Sequence, residues 1–443
     1  MNLTREDAKS IIDRVLKLSK ADDASVSIEQ NREANLRYAH NEVSTSGDTS
    51  DAVLTVRSSF GKRSGSASAN QFDDATLERV VRRAEETARF APEDPEAMPL
   101  LGAQEYVTRQ AYDEATANAA PDFRASIAAN AIAVAKKGKL EAAGFITNAG
   151  TTRALGNSKG LFAWDRTTLA TFSNTVRTAD GTGSGWAGTN VDRIGDLRPA
   201  ELVQTAAEKA VRSVNAKTLQ PGTYTVILEP AAVADMLLYL SFAADARAAD
   251  EGRSFFARKG GGTKIGEKVV SDKVSIWTDP ADSRALGSIY ANEGLPTRRM
   301  PLFENGVLKS LTYSRYWAQK MDAQPTPTPT NLIMKGGTGS LPDLIRDTRD
   351  GVLVTRLWYI RFLNPQAILL TGLTRDGVFK IERGRIRNAV KNFRFNDSPV
   401  SVFANVDAMS REMRTRGSEA EDFAIVCPAV RTKFTFSSLS DAV

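Results

Sequence analysis

The run from 139 to 188, "KLEAAGFITNAGTTRALGNSKGLFAWDRTTLATFSNTVRTADGTGSGWAG", is rich in strand-forming residues and is interrupted only by turn signals at Asn148 to Gly150, Asn157 to Gly160 and Asp180 to Gly181. Connections this short join strands that run in opposite directions, so the chain is committed to antiparallel sheet. Earlier runs, "ASVSIEQ", "ANLRYA" and "DAVLTVRSS", read as further strands, and "FGKRSGSASANQFDD" has the glycines of a tight hairpin. Helices bracket this β region. Thr4, with Asp7 three residues on, caps a helix whose stripe is Ala8, Ile11, Ile12, Val15 and Leu16. Others are expected from about Asp73 to Phe90, Pro121 to Lys137, and from Pro199. A second half opens near Leu219 with the apolar run "YTVILEP" and continues through hairpins at Asn305-Gly306 and Arg383-Gly384. The expected class is α/β of the α+β kind in two domains. Residues 1–215 form a mixed domain of helices and antiparallel sheet, and 216–443 a β-rich one.

Composition excludes more chemistry than it suggests. The 58 basic and 53 acidic residues leave +5 on 443 residues, with no Lys/Arg block interleaved with aromatics, which argues against a specific nucleic-acid footprint. The first residues carry acids and no apolar core, and no window approaches a membrane span, so a cytoplasmic chain is expected. The single cysteine, Cys427, and single histidine, His40, exclude an internal disulfide, a multi-Cys or multi-His zinc site within the chain, and a His-based triad beyond one copy. His40, in "RYAHNEVS", reads as an ordinary turn residue, and Cys427, before a proline in an apolar run, as a small buried hydrophobe.

Three glycine-rich or short motifs do not hold up in context. "GSGWAG" (183–188) fits the dinucleotide fingerprint only in letters, because it follows a β region and opens no helix, so a glycine-rich hairpin is expected. "SFGK" (59–62) lacks the companions of the S-x-x-K enzymes, and "GGGTKIGEK" (260–268) lacks the order of a phosphate loop and reads as a flexible lid. "DAQPTPTPTNLIMKGG" joins a stiff Pro-Thr segment to a short apolar strand, expected at an edge or lining a cleft.

The stretch "VADMLLYLSFAADARAADEGRSFF" (233–256) has Val233, Met236, Leu237, Leu240 and Ala244 at helical spacing. Its acids and base, Asp235, Asp245, Arg247, Asp250 and Glu251, are read as a solvated face; Asp245 and Asp250 are too far out of phase to converge on a metal.

Several segments in this order resemble the TldD/PmbA family of metallopeptidase-related proteins, historically named as modulators of DNA gyrase. They are "GKRSGSASANQFD", "ALGNSKGLFAWDRTT", "LPTRRMPLFENGVLKSLTYSRYWAQK", "TPTNLIMKGG", "DGVLVTRLWYIRFLNPQAILLTGLTRDGVFKIERGRIRNAVKNFRFN" and the closing "FTFSSLSDAV". The resemblance covers nearly the whole chain. It implies that the helix after the β-run is where the catalytic TldD type carries H-E-x-x-x-H, two zinc ligands and a general base, completed by a cysteine near the C-terminus. Here that motif falls at about Leu238 to Ala243, and Leu238, Tyr239 and Ala243 stand in for it. No His or Glu occurs between Asp235 and Ala249, and Cys427 sits at a different position from the family's metal-binding cysteine.

The resemblance therefore implies a PmbA/TldE-like member with no catalytic residue, no metal ligand and no cofactor of its own. Zinc is expected in a TldD-like partner, in a heterodimer or higher assembly that encloses unfolded or linear peptides, held largely by strand addition. Thr330, Asn331, Leu332, Ile333 and Met334, together with "GRSFFARKGGG", are the expected cleft-lining segments. Three other arrangements stay open: a self-sufficient metallopeptidase using Asp245 or Glu251, a nucleic-acid or gyrase-associated binding protein, and a homodimer.

Overall fold

The computed structural model describes residues 3–440; Met1, Asn2 and the last three residues of "FTFSSLSDAV" lie outside them. The first half contains α1 (Arg5–Leu18), β1 (Asp23–Ala39), β2 (Glu42–Phe60), β3 (Arg63–Ala69), α2 (Asp74–Phe90), α3 (Glu114–Ala117), α4 (Pro121–Lys137), β4 (Leu140–Asn157), β5 (Phe162–Thr178), β6 (Ser184–Val191) and α5 (Pro199–Arg212). Its six strands form one antiparallel sheet in the order β3-β2-β1-β4-β5-β6. Thr4 caps α1 reciprocally with Asp7, as its spacing predicts. "ASVSIEQ" and "ANLRYA" are one continuous strand rather than two. The expected turn at Asn148–Gly150 is also absent: those residues lie in the middle of β4, paired to β1 and β5, with the Asn148 side chain buried against Arg124 and Thr116. Turn-forming residues yield to the ladder when both neighbouring strands are present.

β1 alternates buried Val26, Ile28, Ala34, Leu36 and Tyr38 on one face. At one end of the sheet this face packs on α1 and α2, at the other on α4 and α5. The "GSGWAG" glycines serve that packing. A Cβ on Gly185 would stand 2.2 Å from the Ala206 carbonyl oxygen of α5, so only glycine lets helix and strand approach so closely. Gly185→Ala should cost about 1–3 kcal/mol by overpacking, read as a lower urea midpoint at unchanged slope.

The second half contains β7 (Gly222–Leu228), α6 (Pro230–Phe242), α7 (Ala246–Asp250), β8 (Ile276–Thr278), β9 (Tyr290–Ala291), β10 (Leu295–Pro296), β11 (Met300–Glu304), β12 (Val307–Leu308), α8 (Arg315–Lys320), β13 (Asn331–Met334) and α9 (Leu341–Arg346). It continues with β14 (Asp350–Asn364), β15 (Leu369–Glu382), β16 (Arg385–Ala389), β17 (Phe393–Asp397), α10 (Pro399–Ala404), β18 (Ala408–Met409), β19 (Met413–Thr415), β20 (Ala424–Cys427) and β21 (Val430–Leu439). One sheet runs β12-β11-β8-β13-β20-β19 and is antiparallel except between β13 and β20. The other runs β14-β7-β21-β17-β15-β16, and because β14 also pairs β15, five of its strands close on themselves. Closure removes two sheet edges and encloses a phenylalanine core, in which Phe393 and Phe436 stack at 4.2 Å between centroids.

Helix α6 is wedged between these two sheets, touching β7, β14, β19 and β20. Every residue from Ala231 to Leu240 is buried. A helix that is apolar nearly all round belongs in an interior. The expectation of a solvated polar face is corrected at one residue: the helix ends at Phe242 and Asp235 is completely buried, whereas Asp245 and Glu251 are exposed and Arg247 and Asp250 partly so.

Candidate functional site

The stretch of α6 on which the resemblance places the metal motif, about Leu238 to Ala243, is filled by the chain's own side chains. Leu238 is core, Ala243 caps the helix half-buried, and Tyr239 is buried with its ring edge-on to Phe362 at 5.2 Å and to Phe242 at 6.2 Å. The Tyr239 hydroxyl donates to the Ile360 carbonyl at 2.6 Å. Burial, with the charge of Glu419 beside it, pushes this phenol up, so it remains a neutral donor.

The reason for that hydrogen bond lies in β14. Its ladder with β15 breaks between Trp358 and Arg361, and Tyr359 sits at φ +54°. Tyr359 and Ile360 thus have no strand partner on that side, and buried backbone groups must find another. Ile360 finds three: its carbonyl accepts from Tyr239 and from the Arg361 guanidinium at 2.6 Å, and its N–H donates to the Glu419 carboxylate at 2.8 Å. Tyr239→Phe should cost about 0.5–1.5 kcal/mol and speed amide exchange at 359–361, because the Ile360 carbonyl loses its buried donor and keeps only the half-exposed Arg361 guanidinium.

Glu419 is positioned in turn by Asp235. The Asp235 carboxylate accepts from the backbone N–H groups of Ser418, Glu419 and Ala420 at 3.1, 2.8 and 3.0 Å. Gly417 lies flat against it, since a Cβ there would be 2.1 Å from Oδ1. Burial pushes the Asp235 carboxyl up to about 7, against the downward pull of the three N–H groups. Cys427 is fully buried next to it and donates its thiol to the Pro230 carbonyl; burial and the Asp235 charge raise its pKa well above the ordinary thiol value. The small-hydrophobe expectation for Cys427 agrees with its burial.

The remaining acids of the segment do not gather. Asp245 caps α7 through the Ala248 N–H, Asp250 accepts from the Trp317 indole, and Glu251 is held by Arg247 and Arg253. Among the described residues no three His, Cys, Asp or Glu side chains form a group able to hold a metal ion. His40 is in a turn at φ +50°, exposed and 3.1 Å from Glu141.

The segment expected to line a cleft at an edge is an interior strand instead. Asn331 to Met334 are all buried and pair with β8 on one side and β20 on the other, so this backbone is not open to strand addition. The Asn331 side chain is structural: it accepts from Thr278 Oγ1 and the Asp279 N–H, and donates to the carbonyls of Asp279 and Ala285. Thr330 donates to the Ser288 carbonyl. A short apolar run cannot by itself tell an edge from a centre. In "GRSFFARKGGG", Phe256 is core and Gly260 to Gly262 all lie at positive φ in exposed turns.

What the sequence reading missed is the face that Tyr239 supports. Trp358, Tyr359, Phe362, Leu363 and Phe242 all stand exposed. Arg375 lies over the Trp358 ring at 4.2 Å, Arg361 over Tyr359 at 4.4 Å, and Arg356 over Trp186 at 4.8 Å. The signal was present in "TRLWYIRFL", where basic and aromatic residues do interleave. It was overlooked because the run is short and Arg375 arrives from the neighbouring strand.

Family models match the chain in three consecutive stretches. Residues 221–438 match the model of the PmbA/TldA metallopeptidase C-terminal domain, 109–214 that of the central domain, and 24–88 that of domain 1. A "Metalloprotease" of Methanothermobacter thermautotrophicus is 28% identical over 280 residues, which are 58% of this chain and 60% of that protein, so the alignment spans less than two thirds of the relative's length. "Metalloprotease PmbA" of Escherichia coli O157:H7 is 23% identical over 91% of this chain and 89% of its own. The crystal structure of TldE from Thermococcus kodakarensis has the same fold, with a TM-score of 0.85 at 20% identity, covering 98% of this chain and 99% of that one. With three consecutive domain models matched along almost its entire length, the chain belongs to the PmbA/TldD family.

Proposed function

We propose that this chain is the non-catalytic, TldE-like subunit of a heteromeric metallopeptidase, in which a TldD-like chain supplies the zinc and the two together enclose unfolded or linear peptides. The observation that carries the reading is the fate of the motif position on α6. Leu238, Tyr239 and Ala243 offer no metal-binding group, and the Tyr239 hydroxyl is committed to a backbone carbonyl. Without imidazole ligands and a placed carboxylate, water is neither bound to zinc nor deprotonated here. Asp245 and Glu251, the acids a self-sufficient enzyme would use, each serve a helix cap or an arginine. A cytoplasmic setting belongs to the same proposal. Among the described residues no helix is long and apolar enough to cross a membrane.

Peptide holding by strand addition requires an open edge. With β13 paired on both sides, the outer edge of β2 from Glu42 to Val53, which β3 does not reach, is the longest stretch of unpaired strand in the first sheet.

The test is metal content and peptide cleavage on the purified chain soaked with zinc or manganese, and on its mixture with the relative from the same organism that carries H-E-x-x-x-H. Cleavage of a denatured protein is expected from the mixture only. Stoichiometric metal together with cleavage by this chain alone overturns the proposal. Sequence-preferring DNA binding at physiological salt would instead favour the nucleic-acid reading, because weak salt-sensitive binding is within reach of a net +5.

A further inference from the structure

The exposed face beside the motif helix has the composition of an interface. Of the twelve large hydrophobic residues that stand exposed among the described residues, four fall within six positions of β14 (Trp358, Tyr359, Phe362 and Leu363), and Phe242 meets them through Tyr239. Scattered apolar residues on a surface require no explanation, but a contiguous aromatic group does. The group is also held rigidly. Trp358 and Tyr359 lie at the break in the β14 ladder, and the Ile360 backbone just behind them is fixed at both polar atoms by Tyr239 and Glu419. Rigid aromatics lose little freedom on contact, which is why they anchor interfaces.

The charge around the group is one-sided. Arg356, Arg361 and Arg375 stack on its rings or beside them. The two nearby acids are already engaged: buried Asp376 by Arg356 and Ser184, and Glu419 by Ile360 and Arg361. Burial pulls the Arg375 pKa down; Asp376, 3.9 Å away, opposes this, and the like charges of Arg356 and Arg177 add to it. Three arginines against two acids leave the face net positive, so a second copy docking the same face would set like charge against like, and a partner of opposite sign fits it better than an isologous pairing. Phe362, Leu363 and Phe242 extend the face with purely apolar surface that a nucleic acid would leave wet.

We propose that the face formed by Trp358, Tyr359, Phe362, Leu363 and Phe242 docks a different protein chain whose contact surface is apolar at its centre and rimmed by carboxylates. This rests on the heteromeric reading above and specifies where and how the partner is held. Tyr239 and Glu419 are positioning residues for it, so a residue at the place where the resemblance puts the zinc motif here supports an interface.

The experiment is sedimentation velocity with the full chain and, as probe, the purified relative bearing H-E-x-x-x-H. Two exposed-face variants are compared with wild type, Trp358→Ser/Phe362→Ser and Arg361→Glu, after thermal melts show that both keep the wild-type transition. Wild type is expected to bind. The double variant should weaken binding at least tenfold, and Arg361→Glu should weaken it and reduce its dependence on salt. Equal binding by wild type and both variants overturns the docking face and leaves the heteromeric reading standing. No binding by wild type overturns that reading and the face with it. Self-association of the wild type that the same variants abolish, or binding of single-stranded oligothymidine that they abolish, overturns the choice of an acid-rimmed protein as occupant.

Discussion

Replacing Asp165 by alanine is expected to cost the chain about 3–5 kcal/mol of stability. Asp165 and Arg109 form a two-pronged ion pair at 2.9 Å on each arm, with side chains only 9% and 4% exposed. The Arg109 guanidinium also donates to the Gly287 carbonyl, through Nε at 2.8 Å and through a second nitrogen. One side chain from the segment before α3 therefore joins β5 of the first half to the second half. Removing the carboxylate leaves a buried cation with a single carbonyl partner, and an uncompensated buried charge is costly in a way that losing the whole pair is not. The paired replacement Arg109→Met/Asp165→Leu should accordingly lie closer to wild type than Asp165→Ala alone. Urea unfolding of wild type and the two variants measures the difference; equal losses in both would show that the pair is not desolvated in solution.

Asp235→Ala should cost at least about 3 kcal/mol, because it leaves the N–H groups of Ser418, Glu419 and Ala420 facing an apolar side chain in the interior. It should also loosen Glu419 from Ile360, so that amide protection falls at 358–361 as well as at 418–420. The carboxyl has a pH signature of its own. Its folded pKa is raised from 3.8 to about 7, so the folded state binds the proton more tightly than the unfolded chain does. The stability that this provides is complete below about pH 4, and it is lost as pH rises through about 7. Each tenfold difference in proton affinity is worth about 1.4 kcal/mol, so the decline amounts to a few kcal/mol. Asp235→Asn carries no charge to bury, so its stability should fall less between pH 4 and 7 than that of wild type. Glu33 and Asp397 are also raised by burial and titrate in the same direction, but both variants contain them, and the difference between the two curves isolates Asp235. Parallel curves would show that Asp235 does not take up its proton in this range.

Much of the architecture was legible in local signals. The Thr4 cap, the helix expected from about Asp73, the prolines opening α4 and α5, and the turns at Asn157, Asp180, Asn305 and Arg383 are decided within a few residues, and the structure places them where their spacing predicts. The misreadings share a cause. Asn148 to Gly150 looks like a turn until strands on both sides pair it, and "NLIM" looks like an edge until β8 and β20 flank it. Asp235 looks like a surface acid until a loop nearly two hundred residues away wraps its carboxylate.

The sequence by itself determined what is missing from the motif helix, since ligand chemistry depends on residue type and no arrangement of Leu238, Tyr239 and Ala243 supplies an imidazole. Only the tertiary structure decided what that helix does instead. Burial between two sheets turned Asp235 into a loop anchor and Tyr239 into the buried donor to a carbonyl that has left its strand ladder. Strand pairing brought Arg375 onto a tryptophan seventeen residues earlier in the chain. Such partners are distant in sequence and meet only because desolvated polar groups must be paired somewhere in the finished fold.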